Sequence, residues 1–570
     1  MALYTKLPDT IDEADVIIAG GGTAGCVVAS RLADADPGLS ILAIEGGPNS
    51  DLPTVEIPAS FLAHLSPESK TNRFYLTKKS PEVADRSLII PTGGFLGGGS
   101  STNFMMYSRA QRSDWGSWNT PGWSADEMLP FLKKLETYHG DDAKGIHGHE
   151  GPIHISRGTY NSPRIQDEFI AAAKNVGWLE VPDLSDLDSI NAICRAKRFI
   201  SPSGKRQDVV STYLHPRLRD GKHPNLQSFK KAYGSDFRPN PVFHTDGMEQ
   251  PPRRVGARKL VIASGGACGT LPLLERSGVG DSEILTRAGV PVLVDLPGAG
   301  NGYEDHHLLV YPYFSNLVPA DTLDKFIYGS QETQKELIET KHKMLGWNAQ
   351  EVQGKVRPTE TEVIALGPEF QAAWDREFKP NPDKPLAIIT AIAGFPGDPR
   401  LTTGDPCLST TVFTVHPFSR GHIHITCPGV DDPVDFETGF FADPGQLDMA
   451  ACHPPFAADS GAALVRLTDG PLHAGVPDIE YSAEDDAVLE RWLRENVGTT
   501  WHSVGTCKML PRDEMGVVDP SLGACGVRNL KIADLSIPPR NVAANTNSTA
   551  LAIGEKAADI FIRELGLGSV

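Results

Sequence analysis

Short apolar runs bounded by glycines and polar residues open the chain. Asp15-Val16-Ile17-Ile18-Ala19 is β-branched and too short for a helix, so it predicts a buried parallel strand. Gly20 to Gly25 follow at once, and from Cys26 to Ala33 the apolar residues switch to helical spacing. A second run, Ser40-Ile41-Leu42-Ala43-Ile44, predicts another strand that ends at Glu45. Much further on, Ala387 to Ile392 and Leu408 to Phe413 read as strands between polar loops. In the run from Ala550 to Leu565, Leu551, Ala558 and Phe561 recur at helix-compatible spacing, with Asn547-Ser548-Thr549 predicted as its polar cap. One stretch breaks the pattern. Gln227 to Pro241 is polar, interrupted by Pro239 and Pro241 and without alternation, and it predicts a loop.

Charge and composition then remove whole classes of function. With 53 Lys and Arg against 72 Asp and Glu the formal net charge is −19, which repels a phosphate backbone, and no basic stripe interleaved with aromatics offsets it; a nucleic-acid partner is not expected. No apolar run approaches the roughly 18 residues of a membrane-spanning helix. The first residues lack a basic patch followed by an apolar core, and the last are not Ser-Lys-Leu, so the expectation is an intracellular protein, cytoplasmic or else peroxisomal without a recognisable C-terminal signal. The eight cysteines form no C-x-x-C and read as reduced, mostly buried thiols. His149 and His154 flank a Gly-Pro pair that breaks any helix, while His422 with His424 and His306 with His307 bring no further ligands in sequence, so these histidines read as surface or packing residues and no metal is expected. Trp115, Trp118 and Trp123 read as packing rather than a substrate cage. A serine hydrolase is disfavoured because no G-x-S-x-G occurs.

Strand, glycine turn and helix, in that order, make a nucleotide-binding start. Gly20 permits the tight turn, Gly22 lets a pyrophosphate approach the backbone, and Gly25 lets the helix pack close against the strand, while the helix N-terminus offers unpaired N–H groups to the anion. Glu45 lies about twenty residues beyond the last of these glycines, where an acidic side chain accepts hydrogen bonds from a ribose. An ADP-containing dinucleotide follows, with nicotinamide and flavin both open at this point. A second glycine cluster, Gly93 to Gly99 running into Ser100-Ser101-Thr102-Asn103, offers bare amides to a phosphate or to the polar edge of a flat ring, and the bulky residues Phe104 to Tyr107 behind it exclude a flexible linker.

These motifs, with Ser264 to Thr270 running into Leu274 to Gly280, Leu296 to Gly300 before Asp305-His306, Trp501 to Thr506, and Ile532-Ala533-Asp534, appear in the order of the glucose-methanol-choline (GMC) family of flavin oxidoreductases, which the chain resembles. Gly97 to Arg109 and Asn545 to Leu551 are most similar to the fungal, methanol-type alcohol oxidase branch of that family. The resemblance implies an α/β fold in which a Rossmann-like FAD-binding domain is interleaved with an antiparallel-sheet substrate domain: residues 1–306 mainly FAD-binding, 307–495 substrate-binding, and 496–570 a C-terminal catalytic segment returning to the FAD domain. It implies FAD, with the ADP half on Gly20, Gly22, Thr23, Ala24, Gly25 and Glu45, the flavin near Gly98, Ser100, Asn103 and Met105, and Asp534 and Thr546 also against the cofactor. Some relatives attach the flavin through a histidine at the position of Asn103; an asparagine cannot form that bond, so non-covalent FAD is expected.

The resemblance also places His502 and Asn545 opposite the flavin. Imidazole, with an ordinary pKa near 6.5, suits the removal of a hydroxyl proton at neutral pH, and a carboxamide donates to an alkoxide without titrating. The implied activity is oxidation of a primary alcohol to an aldehyde by hydride transfer to flavin, with O2 reduced to H2O2. The implied partners are therefore a small-molecule alcohol and O2 or another electron acceptor. A dehydrogenase of the same fold passing electrons to a quinone, a lyase with structural FAD and a non-catalytic relative share the pattern. The family places a strand pair after Asn225-Leu226, which the stretch 227–241 is not expected to form, leaving the adenine side exposed.

Overall fold

In the computed structural model, which describes residues 3–4, 7–8, 10–230, 232–236, 242–245, 253–398, 405–443, 468–471 and 483–568, the first apolar run is strand β1 (Glu13–Ala19), the glycine turn opens helix α1 (Thr23–Ala35), and the second run is β2 (Ile41–Glu45). Along the chain follow β3 (Ala192–Arg195), β4 (Leu226–Lys230), β5 (Gly256–Ala263), α2 (Gly266–Arg276) and β6 (His307–Ser315). The last elements that matter to the site are β7 (Gln350–Val356), β8 (Ala387–Ile392), β9 (Cys407–Thr414), β10 (Leu530–Ile532) and α3 (Asn547–Glu564).

A six-stranded sheet takes the order Leu3–Tyr4, β4, β2, β1, β5, β10, and every pair in it is parallel. Strand order departs from β1 in both directions, so the chain leaves a crevice beyond the carboxyl ends of β1 and β5, where α1 and α2 begin; ligands bind at such a switch point. Helix α3 lies on α1, and glycine makes that contact possible: a Cβ on Gly554 would stand 2.9 Å from Val27 Cβ and 3.1 Å from Ala24 Cα. Burial of Val27, Val28, Leu551 and Ile553 along the two helices stabilises this layer by about 1.5–3 kcal/mol per side chain.

The second large sheet has eight strands, in the order Thr468–Pro471, β6, β9, β8, β7, β3, Leu179–Glu180, with Gly498–Thr499 pairing β6 off this path. From β6 to β3 the pairs are antiparallel, and the register aligns Val310 with Thr411, Thr411 with Thr390, and Thr390 with Gln353. Aligned residues share a face, so one row of side chains crosses the sheet. Strand β3 reaches this sheet from a part of the chain that precedes β4 and β5, so the two sheets alternate in sequence. Among the described residues no helix is long and apolar enough to cross a membrane.

Two expectations are corrected. The stretch after Leu226 is not a loop: β4 pairs parallel with β2 (Leu226↔Ile41, Ser228↔Ala43), and Ala232–Asp236 forms an antiparallel hairpin with Val242–Thr245. Backbone pairing to the already buried β2 decides the conformation, and Leu226 and Ser228 are buried although only one of them is apolar. Residues 231 and 237–241, with both prolines, lie outside the described residues. Helix α3, for its part, already includes the predicted cap Asn547-Ser548-Thr549, and its N-cap lies one residue earlier. Its N-cap is Thr546, which makes no side-chain capping bond; Ser548 instead donates to the Ser108 carbonyl at 2.6 Å. The three tryptophans are buried against one another, with ring centroids 4.7 Å apart for Trp115 and Trp118 and 5.9 Å for Trp118 and Trp123.

Candidate active site

A cavity of about 1110 Å³ runs from the crevice of the parallel sheet to the face of the antiparallel one. At its nucleotide end the backbone does most of the shaping. Gly20 has φ +111°, and a Cβ there would lie 2.2 Å from the Ser264 carbonyl oxygen; a Cβ on Gly25 would meet the Gly20 carbonyl at the same distance. Gly22 caps α1 without a side-chain bond, leaving first-turn amides for an anion. The second glycine cluster closes on the first: Gly97 N donates to the Gly21 carbonyl at 2.7 Å, and a Cβ on Gly98 would stand 2.9 Å from Gly22 Cα. Glu45 accepts from the amides of Gly21 and Gly47, both at 2.9 Å. Burial pushes its carboxyl pKa up, against the pull of those amides.

Of the residues predicted to hold a cofactor, Gly20, Gly22, Thr23, Ala24, Glu45, Gly98, Asn103, Met105, Asp534 and Thr546 all line this one cavity. Gly25 and Ser100 do not. Gly25 acts behind the wall, where α1 meets the turn, and Ser100 ties the two glycine loops together. Its amide donates to Thr23 Oγ1 (3.2 Å), and its hydroxyl donates to the Gly97 carbonyl (2.7 Å) while accepting from Val209 N (3.2 Å). Asn103 Oδ1 accepts from Met105 N (2.9 Å) and from Arg206 Nη1 (3.0 Å), and Met105 is held at φ +58°. Asp534 accepts from Gly266 N at 2.9 Å and Thr270 Oγ1 at 2.5 Å, so it both fastens the start of α2 and faces the cavity.

At the other end, His502 and Asn545, 43 positions apart, meet with Asn545 Nδ2 3.4 Å from His502 Nε2. Each is held by its neighbours. The backbone amides of His502 and His306 both donate to Asp305 Oδ1, at 2.9 and 2.8 Å, and Asp305 Oδ2 accepts from Thr499 and Tyr303. Asn541 Nδ2 donates to the His502 carbonyl at 3.2 Å. Burial drives the Asp305 carboxyl up to about 6 in spite of these donors. On the other side of the pair, Asn545 N donates to Ser108 Oγ (2.7 Å), and Asn545 Oδ1 accepts from Ser108 Oγ (3.1 Å) and Gln353 Nε2 (3.4 Å). Gln353 belongs to the row that crosses the antiparallel sheet, whose Val310, Thr390 and Thr411 line the cavity. His502 Nδ1 lies 3.0 Å from His306 Nδ1, and Phe413 stacks on the His306 ring with centroids 5.6 Å apart. Burial lowers the His502 imidazole to about 3.

The donor set fits FAD. In the two glycine loops the Cβ positions of Gly20, Gly25 and Gly98 are taken by backbone, bare amides are left for a pyrophosphate, and the Glu45 carboxylate at the end of β2 could accept from a ribose. Two buried polar atoms on side chains that line the cavity, Asn547 Nδ2 and Asn72 Oδ1, have no hydrogen-bond partner. The start of α3 brings Asn547 there together with a helix N-terminus, which suits an electron-rich ring edge.

A dinucleotide crevice that opens onto a His–Asn pair beneath an antiparallel sheet is the arrangement of a flavin-dependent oxidoreductase. Residues 14–308 and 417–554 match the N- and C-terminal parts of the GMC oxidoreductase family, and the chain belongs to that family. GMC oxidoreductases bind FAD. The chain is 34% identical to an alcohol oxidase of Candida boidinii, over 97% of this chain and 96% of that protein, and 33% identical to alcohol oxidase 1 of Komagataella phaffii with the same coverage. Among solved structures it is similar to formate oxidase from Aspergillus oryzae, with a TM-score of 0.85, 22% identity and coverage of 97% and 99%.

Sequence reasoning missed the residues that hold the pair. Ser108 and Gln353 carry no motif, and His306, read as a packing residue, touches His502. His422 also proves to have neighbours: with Asp435 and Glu437 it offers possible ligand atoms within 4.8 Å of one another. The Lys78 ammonium already stands 2.6 Å from Asp435 and 3.4 Å from Glu437, so a cation of the chain itself occupies that cluster.

Proposed function

We propose that this chain oxidises a primary alcohol to its aldehyde, using FAD held non-covalently in the cavity and reducing O2 to H2O2. The observation that carries the reading is the His502–Asn545 pair on the wall of the cavity that the glycine cradle also lines. Asn103 supports non-covalent attachment, since its side chain has no nucleophilic ring nitrogen and is engaged by Met105 N and Arg206. FAD bound there would accept the carbinol hydride and return the electrons to O2. His502 Nε2 takes the hydroxyl proton, Asn545 Nδ2 donates to the oxygen as negative charge develops on it, and the two hold the carbinol between them. Phe413, whose ring centroid lies 5.7 Å from that of His502, and Leu308, Val310 and Ile392 give the cavity wall an apolar part.

The reading is tested by adding a panel of aliphatic and aromatic primary alcohols to the purified flavoprotein without oxygen. Bleaching of the flavin band, followed by stoichiometric peroxide when air is admitted, is expected. Bleaching by none of them would refute the proposal, and dye reduction without peroxide would move it to a dehydrogenase.

A pH profile gives a second check. With its pKa lowered to about 3 by burial, His502 stays neutral where an ordinary histidine becomes protonated and ceases to be a base. The acid limb normally expected near pH 6.5 is therefore absent from His502 itself, and in a D305N variant, which removes the neighbouring carboxyl driven up to about 6, kcat/KM for the alcohol stays level from pH 8 down to 5. A fall centred near 6.5 would mean that the imidazole is open to water.

A further inference from the structure

We infer that His306 is a positioning residue that fixes the tautomer of His502, so that the cavity-facing nitrogen of His502 carries a lone pair before any substrate arrives. The inference follows from hydrogen-bond valence, passed along the contacts in order. Asn545 N donates to Ser108 Oγ at 2.7 Å, and among the described residues the acceptor in reach of the Ser108 proton is Asn545 Oδ1, 3.1 Å away. Gln353 Nε2 approaches the same carboxamide oxygen at 3.4 Å, which fixes the amide with its NH2 toward His502 Nε2. Two donors facing each other across that 3.4 Å gap would repel, so Nε2 must be the acceptor. A neutral imidazole then has its one proton on Nδ1.

Among the described residues, the acceptor within reach of that proton is His306 Nδ1 at 3.0 Å. With that contact made, His306 presents its own lone pair there and carries its proton on Nε2, a buried atom without a hydrogen-bond partner among the described residues. Two features prevent His306 from turning round. Its backbone is anchored by Asp305, whose Oδ1 also receives the His502 amide, and its ring is stacked on Phe413. The opposite assignment puts a proton on His306 Nδ1, pushes the His502 proton to Nε2 against Asn545, and removes the base. Ser108 and His306 thus clamp the reacting pair from opposite ends: one decides which way the amide points, the other which nitrogen of the imidazole is free. When His502 takes a proton at Nε2 it keeps the one at Nδ1, and the contact to His306 remains intact through the step.

The test is direct, since imidazole nitrogens with and without a proton differ widely in ¹⁵N chemical shift. In the flavin-loaded chain labelled with ¹⁵N-histidine, and assigned with the aid of His306→Gln and H502A, His502 is expected to show a protonated Nδ1 and a bare Nε2, and His306 the reverse. His306→Leu removes the acceptor and is expected to give a mixture of His502 tautomers, with kcat lowered about 10–100-fold, as for other partners that orient a functional imidazole, and KM little changed. His306→Gln, whose Oε1 accepts from Nδ1, restores both the tautomer and most of the rate. A proton on His502 Nε2 in the unaltered protein would overturn the inference, as would a His306→Leu variant that keeps the wild-type tautomer. The kinetic arm rests on the proposed alcohol chemistry and the spectroscopic arm does not: if no alcohol reduces the flavin, the ¹⁵N shifts still decide the tautomer.

Discussion

Substitution of His502 by alanine is expected to lower kcat/KM for an alcohol substrate by about 10²–10⁴-fold, the usual contribution of a positioned general base. Flavin content, measured by absorbance after gel filtration, should be unchanged, because Gly20, Gly22, Gly98 and Glu45, proposed to hold the ADP half, are untouched by the substitution. Loss should fall mainly on kcat, because deprotonation is needed only as the hydride leaves. Asn545→Ala is expected to cost less than H502A, since a carboxamide supplies one donor to the developing alkoxide while the base remains. Its removal also frees the Ser108 hydroxyl, so S108A should reproduce part of the N545A defect, and the double variant should be less impaired than the two losses multiplied. Steady-state kinetics on the four proteins checks all of this. An H502A enzyme that turns over at the wild-type rate would end the assignment of the base.

The largest effect on stability is expected one residue beyond Ser108. Arg109 is fully buried, and its guanidinium donates to Glu136 Oε1 at 2.5 Å, to the Ile146 carbonyl at 3.0 Å and to the Leu132 carbonyl at 3.2 Å. Glu136 also receives the Tyr107 hydroxyl at 2.7 Å and faces His147 Nδ1 at 2.8 Å. Arg109→Met keeps much of the volume and leaves the Glu136 carboxylate buried without its cation, an imbalance worth about 3–5 kcal/mol. Denaturant unfolding of the flavin-loaded protein should show that loss, and the paired variant R109M with E136L should recover much of it, because it removes both charges. The consequence reaches the site: the strap that places Ser108 against Asn545 is held by this ion pair, so R109M should lower kcat as well. Recovery of stability in the double variant without recovery of kcat would show that the strap needs the charges and not merely the packing.

The parts of the molecule that could be read from its sequence are those whose causes are local. A β-branched run, three glycines and a helical repeat lie next to one another, and Glu45 follows at a fixed spacing, so β1, α1 and β2 were all legible before any contact was known. Strands β8 and β9 announced themselves in the same way. Strand β4 did not, because its residues are an indifferent mixture and its conformation is imposed by the exposed edge of β2. Asp305-His306 stood out as a landmark, yet what His306 touches is decided by a contact across 196 positions. The same distance problem hid Ser108, which is 437 positions from the asparagine it orients. Resemblance to a family could point to His502 and Asn545 but not to what keeps them in place.

The parallel sheet is finished by its last strand: β10 joins β5 only at Leu530–Ile532, and α3 covers α1 after that. Asp534, Asn545 and Thr546, which line the cavity, thus lie far along the chain from the glycine loops that they face. A nascent polypeptide can form the glycine turn early, but it cannot close the cavity until β10 and α3 have been made. A variant truncated before Leu530 is expected to lack both β10 and α3, and with them that wall of the dinucleotide cleft.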